Sequence, residues 1–256
     1  MRNIIYENVI DKSKWHGGEW DNEPDKAQFA DEPTGLPCLI RRNDRIGSLC
    51  GYVAIPPKHP YFGKEIHEYT DASTKLYFKR NNEFLVQYGG YDKLTEDAQK
   101  ELSNILEPNP NYEPKLFNLK CHCGITYAND QYEISPAGWE KFREHMHKCK
   151  PTTEEFPHGD AAYFWHVSGH LVDDYPAWQK YCEATAICFN LEAGDERNLW
   201  LFGFDCGHAW DFMPGMFAQM KAIGIEREPD EHSVYRNMEY VESEVRNLAA
   251  QLAAVK

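Results

Sequence analysis

The stretch from Leu199 to Asp211, LWLFGFDCGHAWD, constrains this chain more than any other. Five of its first six residues are apolar, which reads as a buried strand, and the seven that follow carry Asp205, Cys206, His208 and Asp211. No other segment sets so many potential ligands or acid/base groups directly after a core strand. The fold must therefore end a core strand in a chemically loaded turn.

Around that strand a packed core is expected, because 42% of the residues are hydrophobic and 27% charged. At 256 residues the chain can form one large domain or two small ones, and a single domain over 1–256 with an inserted module at about 119–183 is the organisation expected here. The 41 acidic residues against 27 basic ones give a net charge of -14, which argues against nucleic acid as a partner, since backbone binding needs a basic footprint. The same acidity leaves open a surface that imitates nucleic acid and occupies a host protein. Arg41, Arg42 and Arg45 read as a solvated hairpin tip.

The start, MRNIIYENVIDKSKW, lacks the apolar core of a signal peptide, and no run approaches the ~18 apolar residues of a membrane helix. The eight cysteines are accordingly read as reduced thiols in the cytosol.

The first thirty-five residues are polar and punctuated. Asp21, Glu23 and Asp25 read as a solvated loop, with a cation site as the lesser alternative. Pro37 to Arg41 and Leu49 to Ile55 flank Asn43, Asp44 and Gly47, which predicts a β-hairpin that runs into His59 at a strand end. A second hairpin is expected around Asn81 and Asn82, and a helix over about 96–106. LKCHCGITYA reads as a strand, and Ser135-Pro136 as the cap and first turn of a helix to about Lys148. Residues 158–183 show no clean period. Ala184 to Leu191 and Leu199 to Phe204 predict a third hairpin. At the end, Val234, Met238, Val241, Val245, Leu248 and Leu252 form an amphipathic helical stripe, to be packed on the domain or paired with a second copy as a homodimer. Hairpins followed by late helices give an α+β fold: antiparallel hairpins in a central sheet, a small inserted zinc-finger-like module of strand and helix, and the C-terminal helix.

Two constellations carry chemistry. On a strand, Cys121 and Cys123 share a face opposite His122, and on a helix His145 and Cys149 share a face. These four match a closed structural zinc site, with His147 as a competing ligand and free thiols on a core face as the alternative. The second is Asp205, His208 and Asp211, three residues apart, which converge on a divalent cation or a water if the segment turns helically after Gly207. That suits metal-assisted hydrolysis or a His general base; alternatively Asp205 caps a turn and Asp211 is merely exposed. Cys206 as a nucleophile ranks below both.

WDNEPDK (Trp20 to Lys26), TGLPC (Thr34 to Cys38), LCGYV (Leu49 to Val53), His59-Pro60, HCGITYA (His122 to Ala128), FGFDCGH with Asp211, and YRNMEYVESE (Tyr235 to Glu244) resemble the motifs of an uncharacterised family of tailed-bacteriophage and prophage proteins. The departures are Cys123, which stands where that family has the first glycine of H-G-G, and residues 129–183, which are longer. The resemblance implies a phage origin and a setting in the bacterial host cytosol. It also draws His59, His122, Asp205, His208 and Asp211 into one expected cleft, with Tyr52 and Arg41 as further ligand contacts. The function expected is a phage accessory protein that binds a small, nucleotide-like ligand and counters host defence; the alternatives are a metal-dependent hydrolase and an acidic inhibitor of a host enzyme.

Overall fold

The computed structural model describes residues 1–65, 95, 119–149, 169–222, 224–225 and 232–255. The hairpin expected around Asn81 and Asn82 and the helix expected over 96–106 lie outside them. The chain divides into two compact units, Met1–Gly63 with Leu119–Lys256 and Lys64–Asn118. Everything below belongs to the first.

Among the described residues, that unit is an α+β structure on a six-stranded antiparallel sheet. The strands are β1 (Ile4–Tyr6), β2 (Lys26–Ala30), β3 (Pro37–Arg42), β4 (Leu49–Ile55), β5 (Tyr127–Asp130) and β6 (Trp200–Asp205), ordered β1-β2-β3-β4-β6-β5. The helices are α1 (Pro136–Cys149), α2 (Tyr175–Thr185), α3 (Pro214–Ala222) and α4 (Met238–Ala253). No described helix is long and apolar enough to cross a membrane.

The β3–β4 hairpin forms at its expected place, with Asn43 closing the turn through side-chain bonds from the Arg45 and Ile46 amides. All of β4 is buried because both faces of the sheet are covered, so LCGYVAI shows no alternation. One face carries α4, whose Val241, Val245, Leu248 and Leu252 are buried as the stripe predicts. Gly51 lets the helix in: a Cβ there would lie 2.4 Å from Val245 Cγ2. The other face packs Leu39, Cys50, Tyr52, Ala54 and Leu201 beneath Phe189 and Leu199. Helix α4 starts at Met238, not Val234, because Val234 bridges to Asp211 and Asn237 caps the first turn through the Tyr240 amide.

Several expectations fail for physical reasons. LKCHCGITYA is not a strand before Tyr127: Cys123 and Gly124 have φ of +53° and +91°, and the Gly124 amide donates to Cys121, which makes a turn. The third hairpin does not form, since β6 pairs with β4 and β5. Residues 186–190 are instead held by side chains, with Lys26 Nζ donating to the Ala186 carbonyl and Gln28 bonding both polar atoms of the Asn190 backbone. The polar, punctuated first thirty-five residues also supply two strands, β1 and β2.

The acidic triplet and the arginine group also depart from the solvated readings. Asp25 and Arg42 are buried and bonded at 3.0 Å, with Lys12 Nζ 2.7 Å from the same carboxylate oxygen. Arg42 further donates to Glu23 at 3.0 Å and to the Tyr235 hydroxyl at 2.6 Å. Glu23 in turn accepts from the Met238 amide at 2.8 Å, which fixes where α4 begins. Asp21 turns back onto the Gly18 amide.

Candidate metal centre

Strand β6 ends at Asp205, and the chain then folds back on itself twice. Asp205 Oδ1 accepts from the Gly207 amide at 3.0 Å, so this carboxylate shapes the turn. Cys206 donates its amide to Leu49 and is buried, and that burial pushes its thiol pKa up, away from nucleophile or free-ligand chemistry. From His208 the chain makes one turn to Asp211, whose Oδ2 accepts the His208 amide at 3.1 Å.

Asp211 is the hub of the site. It is 2% exposed, yet it takes His122 Nε2 at 2.8 Å on Oδ2 and Arg236 Nε at 3.0 Å on Oδ1. Burial alone would raise its pKa, but the bonds from His122, the His208 amide and Arg236 outweigh that and hold the carboxyl below its ordinary value. An ionised carboxylate only accepts, so His122 carries its proton on Nε2. In the neutral ring that tautomer makes Nδ1 an acceptor, and it lies 2.9 Å from the Tyr240 hydroxyl.

His208 completes the cluster. Its ring lies 5.4 Å from that of His122, centroid to centroid. Its Nδ1 sits 3.4 Å from Asp211 Oδ2, too misaligned for a hydrogen bond, and is buried without a partner. Cys123 stands at the solvent edge in the left-handed turn that also presents His122. One donor atom each from His122, Cys123 and His208 lie within 4.8 Å of one another, so this cluster could hold a metal ion.

The residues read from sequence are thus partly brought together. His122, His208 and Asp211 meet. His59 does not join them: its Nε2 bonds the Leu252 carbonyl at 2.9 Å, twelve residues along α4 from Tyr240, roughly 18 Å at 1.5 Å per residue. Tyr52 is a core residue with its ring against Tyr127. Arg41 lines a separate cavity, and so does His145. Cys121 is half-buried, its thiol pushed up to about 12 by burial and then by Glu244. The side chain of Cys149 lies outside the described residues. Among the described residues the metal-capable grouping joins Cys123 to His122 and His208, not to Cys121 and His145.

Sequence reasoning passes over Arg236 and Tyr240. Both lie in the YRNMEYVESE stretch, but Arg236 sits before the Asn237 cap, outside helix α4, so no helical spacing pairs it with Tyr240, on whose ring it stacks at 4.9 Å. No protein-family model, curated protein or solved structure matches the chain.

Proposed function

We propose that the protein is a metal-dependent hydrolase whose ion, zinc by the character of its donors, is held by His122, Cys123 and His208. The observation that carries this is the convergence of these three donors, within 4.8 Å, in front of a buried carboxylate that already orients one of them. Two imidazoles and a thiolate suit zinc, and three protein ligands leave one position for water or substrate. The ion would supply a water acidic enough to be deprotonated near neutral pH.

The chain's own residues do the rest. Asp211 fixes the His122 tautomer with Nδ1 unprotonated, which is the role of a carboxylate behind a metal-bound histidine. Tyr240 would have to give up its bond to Nδ1 for that atom to serve as a ligand, and its hydroxyl would remain a neutral donor at the cluster, since burial holds its pKa above the usual value. Arg236 neutralises Asp211 from the far side and keeps the carboxylate from becoming a fourth ligand. In keeping with the motifs shared with phage proteins, the activity would be an accessory one in the bacterial cytosol, against a host-defence molecule.

The test is elemental analysis by ICP-MS of the purified chain, with Cys123→Ser and His208→Ala alongside. Stoichiometric zinc in the parent and its loss in both variants is the expected result, followed by a chelator-sensitive product seen by mass spectrometry on incubation with a host metabolite extract. A parent that takes up no metal after zinc reconstitution sinks the proposal.

A further inference from the structure

The sheet face opposite α4 holds two cations side by side. Lys26 and Arg41 are register partners on β2 and β3, so their side chains leave the same face as neighbours. Neither forms an ion pair among the described residues. Lys26 is satisfied by the Glu183 and Ala186 carbonyls at 2.6 and 3.0 Å. Arg41 is not: among the described residues it makes no hydrogen bond, and its Nε is buried without a partner. Arg42, the next residue on the other face, bonds Asp25, Glu23, Gly47, Pro24 and Tyr235.

Among the described residues no carboxylate forms an ion pair with Arg41, although its neighbours together favour the charged form. Asp44 is felt electrostatically, but its carboxylate accepts from the Tyr181 hydroxyl at 2.8 Å. Cys50 and Tyr52 flank Arg41, and burial keeps both protonated and neutral. A half-buried guanidinium left this way costs stability unless something else supplies the anion.

Arg41 opens on a cavity of about 810 Å³. It is lined by Tyr127, Tyr132, Phe142, His145 and Trp178 as well as Arg41. The Trp178 Nε1–H is a second buried donor with no acceptor. Asp44, Asp130 and Glu133 also line the cavity, so its charge is mixed, but the two buried N–H groups left without an acceptor are those of Arg41 and Trp178, which calls for a group that accepts hydrogen bonds beside the aromatic side chains. The size lies within the range of small-molecule sites.

We propose that this cavity is a binding site for a nucleoside phosphate, with the phosphate on Arg41 and the base among the aromatic side chains. Guanidinium suits phosphate because its paired N–H groups match two oxygens at once. Trp178 is buried and can offer only its N–H, so a base would stack on the tyrosines, which tolerate any base. It is separate from the His122, Cys123 and His208 cluster and requires no metal.

Isothermal titration of the full chain, after chelator treatment, with the four nucleoside 5′-monophosphates and with inorganic phosphate tests this. At least one nucleotide should bind, more tightly than inorganic phosphate, and raise the melting temperature. Arg41→Met should weaken that binding about 10- to 100-fold while leaving the ligand-free melting temperature equal or higher. His208→Ala should bind as the parent does, which separates this site from the metal centre. Absence of heat with every nucleotide overturns the proposal, as does binding unchanged in Arg41→Met. A lower ligand-free melting temperature in that variant would make Arg41 structural and overturn it too.

Discussion

His122 and Asp211 stand 89 residues apart in sequence and meet at 2.8 Å, imidazole Nε2 on carboxylate Oδ2, with the carboxylate fully buried. Because Arg236 holds the other oxygen, removing the carboxylate leaves a guanidinium facing an imidazole with nothing between them. Asp211→Ala should therefore cost about 3 kcal/mol in urea unfolding, the scale of a broken buried pair. Its zinc affinity should fall about 10- to 100-fold, as for other carboxylates behind a metal-bound histidine. A competition titration with a chromophoric chelator reads the second effect.

The same carboxylate sets an acid limit on stability. Its folded pKa lies below the ordinary 3.8, so the unfolded chain takes up the proton first as pH falls. The stabilisation is fully present above that ordinary value and is lost as pH drops through the depressed folded one. Unfolding free energies measured from about pH 5 downward should fall more steeply for the parent than for Asp211→Asn, which has no proton to take up. Parallel curves would remove Asp211 from the acid response.

The parts of this fold that show in the sequence are those marked by an apolar run or by an apolar helical stripe. β3, β4, β6, α1 and α4 are of that kind, down to the Ser135 cap, which the Gly138 amide confirms at 3.0 Å. β2 is hidden because its innermost side chains are Lys26 and Gln28, whose polar heads are satisfied largely by residues some 160 positions away, with Gln28 also donating to the Arg2 carbonyl. The site divides the same way. His122, His208 and Asp211 are visible as chemistry-bearing residues at chain reversals. Their union with Cys123 is not, since a strand reading turns Cys123 away from His122, and only the left-handed pair Cys123-Gly124 brings them to one side.

Gly51 governs how closely α4 seats on the sheet. A methyl there would stand 2.4 Å from Val245 Cγ2 and 2.6 Å from Phe204 Cζ, neither of which is the end of a long flexible side chain. Gly51→Ala should destabilise by about 1 to 3 kcal/mol through overpacking. Gly51→Ala combined with Val245→Ala should recover part of that loss, because the added carbon then enters space the valine vacates. Chemical denaturation of the two variants and of Val245→Ala alone gives the coupling; strict additivity would show that the helix and strand do not meet where they are placed.

Asp25 links the core charges to the residues beside the His122, Cys123 and His208 cluster. It binds Lys12 and Arg42 together, and Arg42 passes the link through Tyr235 and Glu23 to the Met238 amide, two residues after Arg236 and two before Tyr240. Asp25→Ala strands Lys12 and leaves Arg42 with Glu23 as its one carboxylate partner among the described residues, and should cost about 3 to 5 kcal/mol. Arg42→Met leaves Asp25 paired with Lys12 and should cost less, and the double variant should cost less than the two single losses added together. If this network also positions the start of α4, Asp25→Ala will weaken zinc binding under conditions where the chain is still folded by circular dichroism, although Asp25 touches no donor. Unchanged zinc affinity in that folded variant would confine the network to holding the core.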